Sequence, residues 1–344
     1  MKYATMQVDL DAILYNFRHL KCYYKKNIIA VLKDDAYGVG LLKIANLLRY
    51  EEGLIVALSS INEVLKLREN NFDKEILYLN VFDETDLEII TKNDITVIVE
   101  NLNQLALLKN KKIKFHLKLN TGMNRLGLSN KDATKAIDEV NKYPKKYQLT
   151  GVLTHFADDD KDHFAYDKFK YYVEKIKKEN LVISCFASSS LNEKTSDISN
   201  YLRVGLKLYG IGERCSFLHN ALTLTSPILT IKTVNKHDKV GYDCEFECQE
   251  NGNLYILPIG YGQGWGRFTS SLAYNNYRYL KQAGKISMDY STYFGKEKFS
   301  INDEFELFGK NIPLEILCKN NYIDPHEVLV RLKVNKIYNK KSLG

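Results

Sequence analysis

Proline is scarce in this chain, at five residues, and tryptophan occurs once, alongside abundant Lys, Asn, Ile and Tyr. That bias reflects base composition more than function. No low-complexity linker and no internal repeat interrupts the sequence. Paired cysteine spacing is also missing. Cys22, Cys185, Cys215, Cys244, Cys248 and Cys318 are scattered without a Cys-x-x-Cys motif, which argues against a disulfide framework or a zinc site and suits reduced thiols in the cytosol. No stretch approaches the roughly 18–20 apolar residues needed to cross a bilayer. The opening residues, Met1 to Asp9, contain no apolar core of a secretory leader. The expectation is therefore a cytoplasmic protein. A strong charge imbalance is absent too, since 49 basic residues face 42 acidic ones for a net +7. The lysine clusters 109, 111, 112 and 142, 145, 146 fall at apparent helix ends or loops, and no RNA-binding motif accompanies them. They read as solvated surface rather than a nucleic-acid site.

What the chain does contain is enough apolar residue, 45% against 26% charged, for large globular cores. Its 344 residues suggest two domains. Eight apolar, β-rich runs recur at 27–33, 54–59, 75–80, 95–100, 114–120, 149–156, 181–187 and 202–208. Stretches with helical spacing separate them, such as Leu41, Leu42, Ile44, Ala45, Leu47 and Leu48, or Ile61, Val64, Leu65 and Leu67. Eight strands alternating with helices over about 200 residues predict a (β/α)8 barrel of the TIM type across residues 10–224. After that the texture changes to short β-like runs (228–234, 254–259, 285–288, 293–295). A smaller, mostly β domain is expected over 225–344, with strand 1–9 joining it.

In such a barrel, catalytic groups gather at the C-terminal ends of the strands. Polar residues accumulate at those ends here. Lys33 closes the first run, Lys118 and Asn120 the fifth, and His155 the sixth; Ser188–Ser190 follow the seventh, and Tyr209 and Gly210 the eighth. A lone lysine at a strand end most simply snorkels into solvent. A lysine in a partly dry mouth can instead lose its proton and attack a carbonyl, and its polar company favours that second reading.

The segments "AVLKDDAYGVG" (30–40), "HLKLNTGMNRLG" (116–127), "THFADDD" (154–160) and "RVGLKLYGI" (203–211) are followed by "VGYDCEF" (240–246) and "LPIGYGQGWGRF" (257–268). Then come "GKISMDY" (284–290) and "IDPHEVLVRL" (323–332). In this order the chain resembles the alanine racemases, fold-type III enzymes that use pyridoxal 5′-phosphate (PLP). The resemblance spans essentially the whole chain. It implies interconversion of L- and D-alanine by two-base proton transfer, supplying D-alanine for peptidoglycan, in a homodimer with shared active sites. By the same resemblance Lys33 carries the cofactor and serves as one base, and Tyr242, from the partner's β domain, is the other. Tyr37, Ser188, Gly205 and Leu206 match phosphate contacts, and His155 packs by the ring. Arg203 faces the pyridine nitrogen, where a fixed charge opposes its protonation. His155 and Arg203 are the candidate charges that favour the tyrosine phenolate. Arg125 and Met288 match substrate-carboxylate contacts, and Lys118 matches a lysine that is carbamylated in many relatives. His326 falls where the family has a pocket tyrosine, with Tyr322 four residues earlier as its competitor. Further departures are Asp34 for alanine, Val39 for histidine, Val204 for proline, Ala187 for asparagine, and Asn120 and Asn124 for Asp and Gly. Two alternatives stay open: a serine or broad-specificity racemase on the same scaffold, and a non-catalytic PLP-binding barrel. Tyr242, Met288 and the whole β domain argue against the latter.

Overall fold

The structure is a computed structural model that describes residues 3–157, 163–187, 198–212, 217–268 and 270–340. A first strand, β1 (Thr5–Asp9), leads into a helix over Leu10–Tyr24, whose start is capped by Asp9 Oδ1 accepting from Ala12 N at 2.9 Å. Eight parallel strands follow: β2 (Asn27–Val31), β3 (Ile55–Leu58), β4 (Glu75–Tyr78), β5 (Ile95–Val99), β6 (Lys114–Lys118), β7 (Gln148–Leu153), β8 (Val182–Ser184) and β9 (Tyr201–Val204). They pair in the order β8-β7-β6-β5-β4-β3-β2-β9. The seam between β8 and β9 is bridged where Asn200 N donates to Ile183 O (3.1 Å) and Arg203 N to Phe186 O (3.0 Å). The eight expected runs are thus the eight strands of a nearly closed barrel. Each ends one to four residues before its apolar run does, because the chain turns into a loop or helix at the rim.

Inside the barrel, Ile29, Ile55, Ala57, Leu77, Ile98 and Leu153 form a buried plug of their own. Alternation along each strand carries the next inward residues, among them Val31, Leu79 and Lys118, to the C-terminal mouth. The plug is therefore the floor on which a site can be built.

The second body is a nine-stranded sheet. Its strands are β10 (Leu222–Pro227), β11 (Thr230–Val234), β14 (Gly252–Leu257), β15 (Leu272–Asn275), β16 (Arg278–Gln282), β17 (Ser291–Gly295), β18 (Glu304–Phe308), β19 (Asn335–Asn339) and β1, in the order β11-β14-β17-β16-β15-β18-β10-β1-β19. β10 crosses position 224/225. A two-stranded ribbon, β12 (Lys239–Val240) with β13 (Phe246–Glu247), stands apart. Residues 285–288, expected as a strand, form a loop instead. Ser287 N and its hydroxyl both donate to Tyr290 O, at 2.9 Å each, which curls the chain at a point where the apolar residues suggested extension.

Candidate active site

Lys33 follows β2 at the barrel mouth and opens a turn in which Asp34, Asp35, Ala36 and Tyr37 all have φ between +55° and +59°. Four consecutive left-handed residues without a glycine are costly, at about 1–2 kcal/mol each. They persist only where the surroundings over-determine them. Here Asp35 N donates to Glu63 Oε1 (2.7 Å), and Leu41 N to Asp35 Oδ1 (2.9 Å). The hydroxyl of buried Tyr209 donates to Ala36 O, and that of Tyr338 to Val39 O, both at 2.7 Å. The turn throws Tyr37 back against the β9 exit. A Cβ on Gly205 would lie 2.4 Å from the Tyr37 hydroxyl, so only glycine fits there.

Register does the rest. β2 and β9 pair with Ile29 opposite Arg203, and β6 and β7 pair with Lys118 opposite Leu153, two residues before His155. Arg203 is buried. Its guanidinium donates to Ser184 O (2.5 Å), Ser184 Oγ (3.0 Å) and Thr154 O (2.6 Å), and Nη2 lies 3.3 Å from His155 Nδ1. Burial lowers its pKa to about 10. Burial, with the nearby cations Arg203, Arg125, Lys118 and Lys33, pushes His155 down to about 3. His155 is therefore neutral, and the positive charge of the site comes from Arg203 and its neighbours, not from this histidine as the resemblance suggested. Lys118 is pushed down to about 8 by burial and by Arg203 and Arg125, against the opposing pull of Glu100. The "NTGMNRLG" segment folds back over it. Leu128 N donates to Lys118 O (2.8 Å) and Asn120 N to Leu128 O (3.0 Å), which returns Arg125 to the mouth. Asn124 takes φ +54°, a conformation that asparagine tolerates, so it serves where the family pattern has glycine.

These groups line one cavity of about 1070 Å³, to which Lys33, Tyr37, Lys118, Arg125, His155, Arg203, Gly205, Leu206 and His326 all contribute. His326 comes from the second body. Asp324 caps its helix (Pro325–Arg331) by accepting from His326 N at 2.8 Å, and the imidazole lies 5.3 Å from the Tyr37 ring. Tyr322 is 99% exposed, so His326 is the residue that reaches the cavity. Tyr242 and Met288, 64% and 56% exposed, do not line it. Ser188 lies outside the described residues. Glu100 escaped the sequence reading, although it ends the fourth apolar run and so stands at the rim where the other site residues gather. Glu63, which holds the left-handed turn from a neighbouring helix, carried no comparable mark.

Residues 8–213 match the family profile described as alanine racemase, N-terminal domain, and residues 221–338 the one described as alanine racemase, C-terminal domain. The chain belongs to the alanine racemase family. An alanine racemase of Streptococcus equi subsp. equi is 31% identical over 328 residues, covering 89% of this chain and 88% of the relative. One from Fusobacterium nucleatum subsp. nucleatum is 30% identical, covering 83% and 84%. Among solved structures, alanine racemase from Bartonella henselae with covalently bound pyridoxal phosphate superposes with a TM-score of 0.87 at 27% identity, over 98% of this chain and 100% of that one. Two of the departures from the expected pattern, Ala187 and His326, line this cavity.

Proposed function

We propose that this racemase interconverts L- and D-alanine with PLP, at sites each built from the barrel of one subunit and the β domain of its partner. The observation that carries the proposal is the convergence of Lys33, Lys118, Arg125 and Arg203 on one cavity. None of the four is within ion-pair distance of a carboxylate among the described residues. Such a site suits a phosphate and a carboxylate together. The close packing of the Tyr37 hydroxyl against Gly205, where no side chain would fit, suits the phosphate in particular.

When bound, PLP withdraws electron density from the amino acid's Cα and makes its α-proton acidic. Lys33 would hold the cofactor covalently and, once released, take or return a proton at Nζ on one face of Cα. Tyr242 of the partner subunit would do so at Oη on the other face. A phenol ordinarily keeps its proton at neutral pH, and the cations around Arg203 favour the phenolate. Tyr37, Ser188, Gly205 and Leu206 would hold the phosphate, with His155 beside the ring. Arg203, held by the carbonyl oxygens of Ser184 and Thr154, would present a fixed charge to the pyridine nitrogen and keep it unprotonated. Arg125 and the backbone of the partner subunit's Met288 would take the substrate carboxylate. The exposure of Tyr242 and Met288 away from their own cavity supports a shared site. The scattered cysteines support a cytoplasmic setting, where the product would feed peptidoglycan synthesis.

One observation favours a second reading, racemisation of serine or a broader set. His326 places a hydrogen-bonding ring in the cavity in place of tyrosine. Incubating the purified holoenzyme with L-alanine and with L-serine, and following optical rotation and the visible spectrum, separates the two. Borohydride should fix the cofactor to Lys33, and Lys33→Ala should lose at least about a thousandfold in rate. A protein that binds PLP yet changes neither rotation would be a carrier, and the proposal would fail.

A further inference from the structure

Tyr242 sits in the loop that joins the two strands of the β12–β13 ribbon, where Val240 pairs with Phe246. That loop is strained, with Gly241, Asp243 and Cys244 at φ +76°, +59° and +53°. Only one backbone hydrogen bond closes it among the described residues, a long one of 3.4 Å from Cys244 N to Gly241 O. A two-residue ribbon whose connecting loop is closed by one weak bond does not hold a phenol in a single place.

What holds the loop from outside is Lys285. Its ammonium lies 2.7 Å from Glu245 Oε1 and also donates to Asp243 Oδ2, so it grips the carboxylates on either side of Cys244. The two chain segments meet closely enough to deliver this grip. A Cβ on Gly284 would fall 2.7 Å from Val240 O, and one on Gly241 would fall 3.4 Å from Lys285 N. Lys285 also lies three residues before Met288, in the curled loop whose Met288 O accepts from Gly262 N at 2.8 Å. One side chain thus ties the Tyr242 loop to the segment carrying the other residue offered to the partner. An exposed ion pair adds little to stability. A misplacement of about 1 Å at a reacting group, however, can cost up to about a hundredfold in rate.

We propose that Lys285 is a positioning residue for Tyr242, fixing the left-handed loop that presents the phenol to the partner's site. The proposal rests on the reading of Tyr242 as one of the two proton-transfer groups. The test follows deuterium uptake at Cα of L-alanine and of D-alanine in D2O by proton NMR, with each variant as holoenzyme. Tyr242→Phe should slow exchange of one enantiomer selectively, because Lys33 still serves the other. Lys285→Met should slow that same enantiomer by about ten- to a hundredfold in kcat with little change in KM, and alter the other less than threefold. Asp243→Asn combined with Glu245→Gln should reproduce the pattern, and Lys285→Arg should restore the parental rate to within about threefold. If Tyr242→Phe is selective but Lys285→Met slows both enantiomers equally, or neither, Lys285 has no positioning role. If Tyr242→Phe itself lacks selectivity, the two-base reading falls and takes this proposal with it.

Discussion

Nη2 of Arg203 lies 3.3 Å from Nδ1 of His155, so a cation with no carboxylate partner among the described residues and a histidine held neutral share one edge of the cavity. Nδ1 must accept in this contact, which leaves the imidazole hydrogen on Nε2. The guanidinium is held by the carbonyls of Thr154, just after β7, and Ser184, in β8, and does not need the histidine to stay in place.

The first prediction concerns that fixed charge. Arg203→Glu would replace the cation proposed to face the pyridine nitrogen with a carboxylate, which would invite a proton onto that nitrogen. Racemisation should slow by at least about tenfold, and a new long-wavelength absorption band or a transamination product should develop with alanine. Parental turnover with an unchanged spectrum would show that Arg203 only supports the fold.

Lys118 yields a second prediction. With its pKa pushed down to about 8, an appreciable fraction of the amine is neutral near pH 7, and the neutral form attacks CO2 to give a carbamate and a proton. The anion so formed would lie between Arg125 and Arg203, replacing repulsion by attraction. Bicarbonate enriched in carbon-13 should give the holoenzyme a carbamate resonance that grows from pH 6 to pH 8 and is missing from Lys118→Ala. No resonance at any pH would mean that the lysine stays unmodified.

Beneath the mouth, His116 is buried inside the barrel, and neither ring nitrogen has a protein partner among the described residues. Burial, aided by Arg203, lowers its pKa to about 3. The unfolded chain binds this proton near the usual 6.5 and the folded one does not, so folding stability is highest above pH 6.5 and falls as pH drops from 6.5 toward 3. His155 adds to the same slope. Each contributes about 1.4 kcal/mol per pH unit in the middle of that window. Urea midpoints measured from pH 7 to pH 5 should decline steeply for the parent and less steeply for His116→Leu. Parallel declines would show that His116 protonates as easily folded as unfolded.

The barrel was legible because its eight strands are largely buried, and buried parallel strands write themselves as continuous β-branched runs. The β domain was harder to read. Leu272–Asn275 and Arg278–Gln282 carry tyrosines and charges on half-exposed faces, and a tight turn at 285–288 overrode apolar composition. At the site, Lys33 was visible from its place at a strand end, but the left-handed turn behind it was not. No glycine marks residues 34–37, and the clamps at Glu63, Tyr209 and Tyr338 come from distant parts of the chain. The Asp324–Pro325 pair does mark a helix start, and that start brings His326, rather than Tyr322, to the cavity.

The last prediction tests whether Lys33 and Tyr242 of one site belong to different chains. Lys33 lines the cavity, while Tyr242 stands exposed in the β domain, and twofold symmetry would give two such shared sites per dimer. Lys33→Ala and Tyr242→Phe, each inactive alone, would be mixed after partial unfolding and allowed to refold. In a mixed dimer one site inherits both defects, and the other combines an intact lysine with an intact tyrosine. Random re-pairing makes roughly half of the dimers mixed, so about a quarter of all sites should regain activity. Were both residues supplied by one chain, every site would keep a defect and mixing would restore nothing. Mixed dimers demonstrated by differential tagging, yet inactive, would exclude the shared site.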